Sequence, residues 1–302
     1  MRTGFAGARS QGGTFMEHNT FFRRAAALVL TLVFAAAAAL QGLAVYPMPI
    51  QTASETEAVY LFNADTGKTL LTQNADQPRY VASLTKMMTA LLLLESGKDL
   101  NGEVTVPTDL TQEFKDIQNA NGTTMGLRIG ETVRRIDLLN ALLITSANDA
   151  ASVIAWDVGG SLNAFIQQMN ARAAELGCTS ATFTCAHGLY DYGNVASAED
   201  MAKIAAACAA NETFAQVAGS TTYTLGQTNF HSEQRTISSS NPLMDASGAY
   251  YKDSVKWVKG GFHHPGRPLC GGPCPKGRPH LRPCDPGQRQ QRASVQRVRR
   301  TV

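Results

Sequence analysis

The chain has 302 residues, 44% of them hydrophobic, and 27 Lys and Arg against 24 Asp and Glu for a formal charge of +3. That composition suits one large domain or two intimate lobes and excludes a disordered or collagenous chain. The average hides an asymmetry: Phe262 to Val302 holds nine of the basic residues, one acid, seven of the 12 Pro, and three each of the six Cys and six His, so Met1 to Gly261 carries −5 and a nucleic-acid reading of the whole chain loses its basis.

Arg23 and Arg24 precede an apolar run from Ala25 to Leu40, followed by the small residues of Gln41-Gly42-Leu43-Ala44. Residues 1–44 therefore read as a secretory signal peptide, with Met16 as a second start that would make 1–15 a mis-called lead. An uncleaved anchor and a buried Ala-rich helix are the alternatives. The body, Val45 to Gly261, has 14 basic and 22 acidic side chains. Its cysteines, Cys178, Cys185 and Cys208, are odd in number and too sparse for a disulfide framework. They read as buried thiols, with Cys178 and Cys185 a candidate pair.

Ala58 to Asn63 and Thr69 to Gln73 flank the turn chemistry of Asp65-Thr66-Gly67-Lys68 and predict a β-hairpin. Leu84 to Glu95 is apolar nearly all round and predicts a buried helix, N-capped by Ser83 and ended by Ser96-Gly97. Ile136 to Ile144 and Ala150 to Val158 predict two helices broken at Thr145 to Asn148, with Asp149 capping the second. Leu162 to Leu176 and Ala198 to Ala210 have helical periodicity, while Thr221 to Leu225 and Ser254 to Val258 alternate as strands. Strands, then helices, then strands imply an α+β domain whose antiparallel sheet draws on both chain ends, with a helical lobe inserted between.

Ser83-Leu84-Thr85-Lys86 puts a hydroxyl and an amine three positions apart, hence on one helix face. A lysine held in a dry pocket loses its preference for the charged state and can act as the base that a serine nucleophile needs. The bare spacing is weak, since about one SxxK arises by chance in a chain this long. Ser146-Ala147-Asn148 lies in a break between apolar helices, where polar side chains can face a cleft; Ser161-Leu162-Asn163 and Ser239-Ser240-Asn241 share the spacing without that setting. Lys259-Gly260-Gly261 ends a strand with a cation suited to a carboxylate.

In this order the three elements resemble the SxxK, SxN and KTG set of penicillin-recognising serine enzymes. Val81 to Ala90, Ser146 to Ala151, Phe165 to Gly177 with Met169-Asn170, and His187-Gly188-Leu189 sharpen the resemblance to the D-alanyl-D-alanine carboxypeptidase family over about Ala58 to Phe262. The resemblance implies a β-lactamase/transpeptidase-like fold and an exported, cofactor-free and metal-free peptidase acting on D-Ala-D-Ala stem peptides of peptidoglycan. It also implies acylation by β-lactam antibiotics, and a membrane contact only through the signal or a C-terminal anchor that is missing. Ser83 would attack the carbonyl, Lys86 take its proton and Ser146 relay a proton to the leaving amine. Asn148 would orient Lys86 and the substrate, Lys259 hold the terminal carboxylate, and the Ser83 and Phe262 N–H groups form the oxyanion hole. A β-lactamase or esterase on the same scaffold and a non-catalytic penicillin-binding remnant are the rival readings.

Two departures stand out. Gly260 occupies the position where the family has Thr or Ser, so one hydroxyl donor is absent, worth about 1–2 kcal/mol of binding. After Phe262 the resemblance stops. Cys270, Cys274, His280 and Cys284 have a zinc-like spacing and Gln288 to Arg300 is basic, but both follow from a Pro/Arg/Gly/Cys-rich stretch. A base inserted before the codon of His263 accounts for the change better, because the restored frame permits Thr-Thr-Gln-Ala-Gly-Arg-Cys and then an apolar strand. On that reading 262–302 is an aberrant tail and the sheet is incomplete at that end.

Overall fold

The computed structural model describes residues 55–189, 191 and 193–261, together with the backbone of 262 and of 292–298. The chain divides into a unit at 1–51 and a unit at 52–302; the signal-peptide reading and the cysteine-rich part of the tail lie outside the described residues. The expected hairpin is present as β1 (Val59–Phe62) and β2 (Thr69–Gln73), paired antiparallel. Asn63 Oδ1 accepts the Asp65 and Thr66 N–H groups, both at 2.9 Å, and Gly67 supplies a φ of +67° to close the turn.

β3 (Arg79–Tyr80) leads to a 3-10 turn, Ala82–Thr85, which runs directly into α1 (Lys86–Glu95). Seven of the ten α1 residues are buried. They pack against later helices on several sides, as the all-round apolar pattern requires. Ser83 is not the N-cap expected from the sequence. Ala82 turns the backbone to a φ of +47°, the 3-10 turn starts one residue ahead of Ser83, and no side chain caps either segment. The Ser83 hydroxyl is thereby released from backbone duty.

β4 (Glu103–Thr105) and β5 (Thr132–Arg134) pair antiparallel across a loop that carries α2 (Thr111–Asn119). None of these was legible beforehand: α2 buries only Ile117 outright, so its apolar stripe is too thin to register. α3 (Arg135–Asn140) continues as a π-helical turn, Ala141–Thr145, and stops at Ser146, which is left-handed at φ 62°. α4 (Asn148–Gly159) follows. Asp149 does not cap it. It lies inside the first turn, where its buried carboxyl group accepts the Ala150 N–H at 2.9 Å and those of Met125, Gly126 and Leu127, each at 3.0 Å, and so staples the 125–127 loop to α4.

α5 (Leu162–Glu175), α6 (Ala198–Ala210) and α7 (Glu212–Ala218) complete the helical part, capped by Ser161, Ser197 and Asn211 in turn. β6 (Val195–Ala196) pairs with β3, and β7 (Thr222–Leu225) with β8 (Arg235–Ser238). β9 (Val255–Phe262) then crosses the 3-10 turn. Trp257 anchors β9, buried edge-on against Phe214 with ring centroids 5.3 Å apart.

The tail departs from expectation in one respect: β10 (Arg292–Val298) pairs antiparallel with β9, so the strand carrying Lys259 has a partner. An exposed strand edge offers backbone donors and acceptors to any extended segment, whatever its side chains. The single sheet built from both chain ends is not continuous among the described residues, where β1–β2 and β9–β10 are separate two-stranded ladders. All three body cysteines are free; Cys208 is buried, and Cys178 and Cys185 are half-buried.

Candidate active site

Three chain segments converge on the first turn of α1. Lys86 Nζ lies 3.1 Å from Ser83 Oγ, 2.8 Å from Asn148 Oδ1 and 2.6 Å from the His187 carbonyl oxygen. The orientation of the Asn148 amide is fixed from its other end, because Nδ2 donates to the Thr123 carbonyl at 2.9 Å. The two oxygens facing Lys86 can therefore only accept. A neutral amine has two hydrogens and one lone pair; the hydrogens go to Asn148 and His187, and the lone pair remains for the Ser83 hydroxyl proton.

Burial favours that neutral state. Lys86 is wholly buried, which pushes its pKa well below the ordinary lysine value, and the nearby Lys259 cation adds to the effect. Among the described residues no carboxylate forms an ion pair with it. Lys259 is also buried, and burial brings it down to about 7. Its Nζ donates to Ser146 Oγ at 3.0 Å and to the Gly260 carbonyl at 2.7 Å. Ser146 reaches this position because the π-helical turn ends in left-handed backbone, a strained geometry for a non-glycine residue that costs about 1–3 kcal/mol and concentrates at functional sites.

Ser83, Lys86, Ser146, Asn148 and Lys259 are thus brought into one cluster. Gly261 lies where β9 meets the 3-10 turn: a Cβ there would sit 3.2 Å from Ser83 N and 3.1 Å from the Val81 carbonyl oxygen, so a side chain would crowd the backbone of Ser83. Gly260 is different. A Cβ at that position meets no atom within 4 Å, so a hydroxyl-bearing residue would fit and only the residue type is lacking. Phe262 enters by its backbone alone, at the last position of β9.

Residues that the sequence did not single out hold the cluster together. Thr89 Oγ1 donates to the Ala186 carbonyl at 2.6 Å, one helical turn beyond the Lys86–His187 contact, so α1 grips the 184–189 loop at two successive points. Asn194 Nδ2 donates to Thr85 Oγ1 at 2.8 Å. Glu113 Oε1, from α2, lies 2.9 Å from His187 Nε2 and 3.0 Å from Ser152 Oγ. Burial resists ionisation of Glu113, yet these two hydrogen bonds hold its carboxyl below the ordinary range.

A serine hydroxyl, a dry amine and a second lysine gathered in one cluster agree with comparison to known proteins. The family model for D-alanyl-D-alanine carboxypeptidase matches residues 47–262, more than half of the chain. The chain belongs to this family. The D-alanyl-D-alanine carboxypeptidase of Streptomyces sp. strain K15 is 33% identical over 212 residues, covering 67% of this chain and 71% of that relative. DacF of Bacillus subtilis, also a D-alanyl-D-alanine carboxypeptidase, is 32% identical over 155 residues, 51% of this chain and 39% of its own length. The chain therefore spans well under half of this larger member of the family.

Among solved structures, the Streptomyces K15 DD-transpeptidase aligns with a TM-score of 0.61 at 28% identity, covering 70% of this chain and 82% of that one. A D-alanyl-D-alanine carboxypeptidase from Mycobacterium tuberculosis aligns at 0.58 and 25%, covering 71% and 78%. The α+β, β-lactamase/transpeptidase-like class expected from the sequence is the fold of these carboxypeptidase-family matches.

Proposed function

We propose that this chain is a serine-type D-alanyl-D-alanine carboxypeptidase, exported from a bacterial cytoplasm, that removes the terminal D-alanine from peptidoglycan stem pentapeptides and is acylated by penicillins. The observation that carries the proposal is the amine of Lys86, buried, without a carboxylate ion-pair partner among the described residues, and 3.1 Å from Ser83 Oγ with two acceptors for its hydrogens in Asn148 and His187. Ser83 Oγ attacks the carbonyl carbon between the two D-alanines while its proton passes to Lys86 Nζ. The Ser83 and Phe262 N–H groups receive the oxyanion, and the positive end of α1 favours the same charge. Ser146 conveys a proton to the departing amine, D-alanine leaves, and water attacks the acyl-serine. Lys259 holds the substrate carboxylate, and Asn148 orients Lys86 and the substrate amide.

Labelled penicillin should attach to the peptide containing Ser83, a stem pentapeptide should release D-alanine, and Ser83→Ala should abolish both. Retained labelling in that variant would mean the nucleophile is another residue. Rapid turnover of the antibiotic, in place of a persistent adduct, would favour the β-lactamase alternative.

The proposal extends to the residues after Phe262, which we read as the product of a shifted frame. β9 then keeps only a substitute neighbour, β10, and D-alanine release by the chain as it stands should be slow. Resequencing the gene across the codons for Phe262 to Cys270 tests this: an uninterrupted read in the present frame refutes it, as does brisk release of D-alanine by the purified chain.

A further inference from the structure

We infer that Glu113 is a positioning residue that holds both acceptors of the Lys86 amine from a third element, α2. This inference rests on the reading of Lys86 as the base for Ser83. One branch runs through the 184–189 loop, where Glu113 Oε1 is 2.9 Å from His187 Nε2 and the carbonyl of the same His187 accepts from Lys86 Nζ at 2.6 Å. The other runs through α4. There Ser152 Oγ donates to Glu113 Oε1 at 3.0 Å, and Asn148, four residues earlier on the same helix, presents Oδ1 to Lys86 at 2.8 Å. The Ser152 hydroxyl has a competing acceptor in the Asn148 carbonyl oxygen, at a longer 3.3 Å. One carboxylate oxygen thus joins the 184–189 loop to α4, on the far side of both from the Lys86 amine that contacts them as well.

The hydrogen on His187 Nε2 points to Glu113 in the neutral Nε2–H tautomer and in the imidazolium alike. Leu189 N–H is directed at Nδ1 at 3.0 Å, which favours a neutral ring with its proton on Nε2. Burial also disfavours the imidazolium, whereas Cys185 and Glu113 favour it strongly enough to raise His187 to about 9. Both forms carry a hydrogen on Nε2, so the contact with Glu113 persists.

The consequence lies in the direction of a lone pair. While both acceptors are fixed, the Lys86 hydrogens are spoken for and the lone pair faces Ser83. If the His187 carbonyl swings away, one N–H is free to turn toward Ser83 Oγ and the base points elsewhere. Such a defect slows the transfer of the proton without altering how the ligand is held, so it belongs to the rate constant and not to affinity.

The test is the time course of labelling by a fluorescent penicillin at several concentrations, using the full chain. Glu113→Ala should lower the limiting acylation rate about 10- to 100-fold while the half-saturating concentration changes less than about twofold. Glu113→Gln keeps an acceptor oxygen for both donors and should recover the rate to within about threefold of the unaltered chain. Ser152→Ala, which removes a single branch, should slow acylation less, and adding it to Glu113→Ala should do no further harm because both act through the same oxygen. If Glu113→Ala does not fold, Glu113→Gln and Ser152→Ala still decide the matter by opposite expected outcomes. A folded Glu113→Ala that acylates at the unaltered rate, a loss confined to the half-saturating concentration, or a Gln variant as slow as Ala each overturns the inference. Failure of the unaltered chain to label at Ser83 refutes the proposed function instead, and the inference falls with it.

Discussion

Replacing Lys86 with methionine is expected to slow acylation of Ser83 by penicillin about 1,000-fold, the range in which a positioned general base contributes. Methionine fills much of the same space with an apolar chain, and the lost amine was itself held in a site hostile to charge. Two buried acceptors, Asn148 Oδ1 and the His187 carbonyl, lose their donor, at about 1–3 kcal/mol each. The variant should therefore fold with a modest loss of thermal stability, and the rate effect can be separated from unfolding by melting the protein and timing its labelling in parallel. An acylation rate within tenfold of the unaltered chain would remove Lys86 from the role of base.

The same pair of lysines sets a pH profile. In the proposed mechanism Lys86 must be neutral to accept a proton, so kcat/KM should fall toward acid as that amine protonates. Lys259 in its proposed role must be charged to hold a carboxylate, and burial brings it to about 7, so kcat/KM should also fall as pH rises through that region in the free enzyme. A bound carboxylate favours the Lys259 cation, and the alkaline limb of kcat should accordingly lie above that of kcat/KM.

What could be read from the sequence depended on whether local chemistry or distant partners dictated it. α1 carries its apolar run, and α5 and α6 their periodicity, in their own residues, and the β1–β2 hairpin carries its turn at Asn63 to Gly67. Ser83, Lys86, Ser146 and Asn148 were visible because their spacing is tied to helix starts and breaks. Glu113 was not, since it sits on a polar helix with a thin apolar stripe and acts on residues 39 and 74 positions away. The Asp149 staple was missed for the opposite reason: a carboxylate at a helix start suggests a cap, and only the folded chain shows that it serves the 125–127 loop. The left-handed turns at Ala82 and Ser146 likewise have no residue-type signal, because neither is glycine.

Gly188→Ala should slow acylation by a different route from Lys86→Met. Gly188 has a φ of +77°, and a Cβ built there collides with the carbonyl group of Ala82 and lies 2.7 Å from Thr85 Oγ1. Neither side yields easily. Ala82 already has a positive φ and immediately precedes Ser83, while the loop on the other side is pinned to α1 through Lys86 and Thr89. The methyl group combines a conformational penalty of about 1–2 kcal/mol with an overpacking penalty of about 1–3 kcal/mol. Relief comes only by pushing the 184–189 loop off the 3-10 turn, which takes the His187 carbonyl away from Lys86. The expected result is a fall of about 5–15 °C in the thermal midpoint and acylation slowed at least about 100-fold below the melting range. Gly67→Ala separates the two contributions: its φ is +67°, yet a Cβ there meets nothing within 4 Å, so it should lose about 1 kcal/mol and label normally. If Gly188→Ala instead matches Gly67→Ala in both stability and labelling, the loop does not bear on the turn that carries Ser83, and the positioning of Lys86 must come from α4 alone.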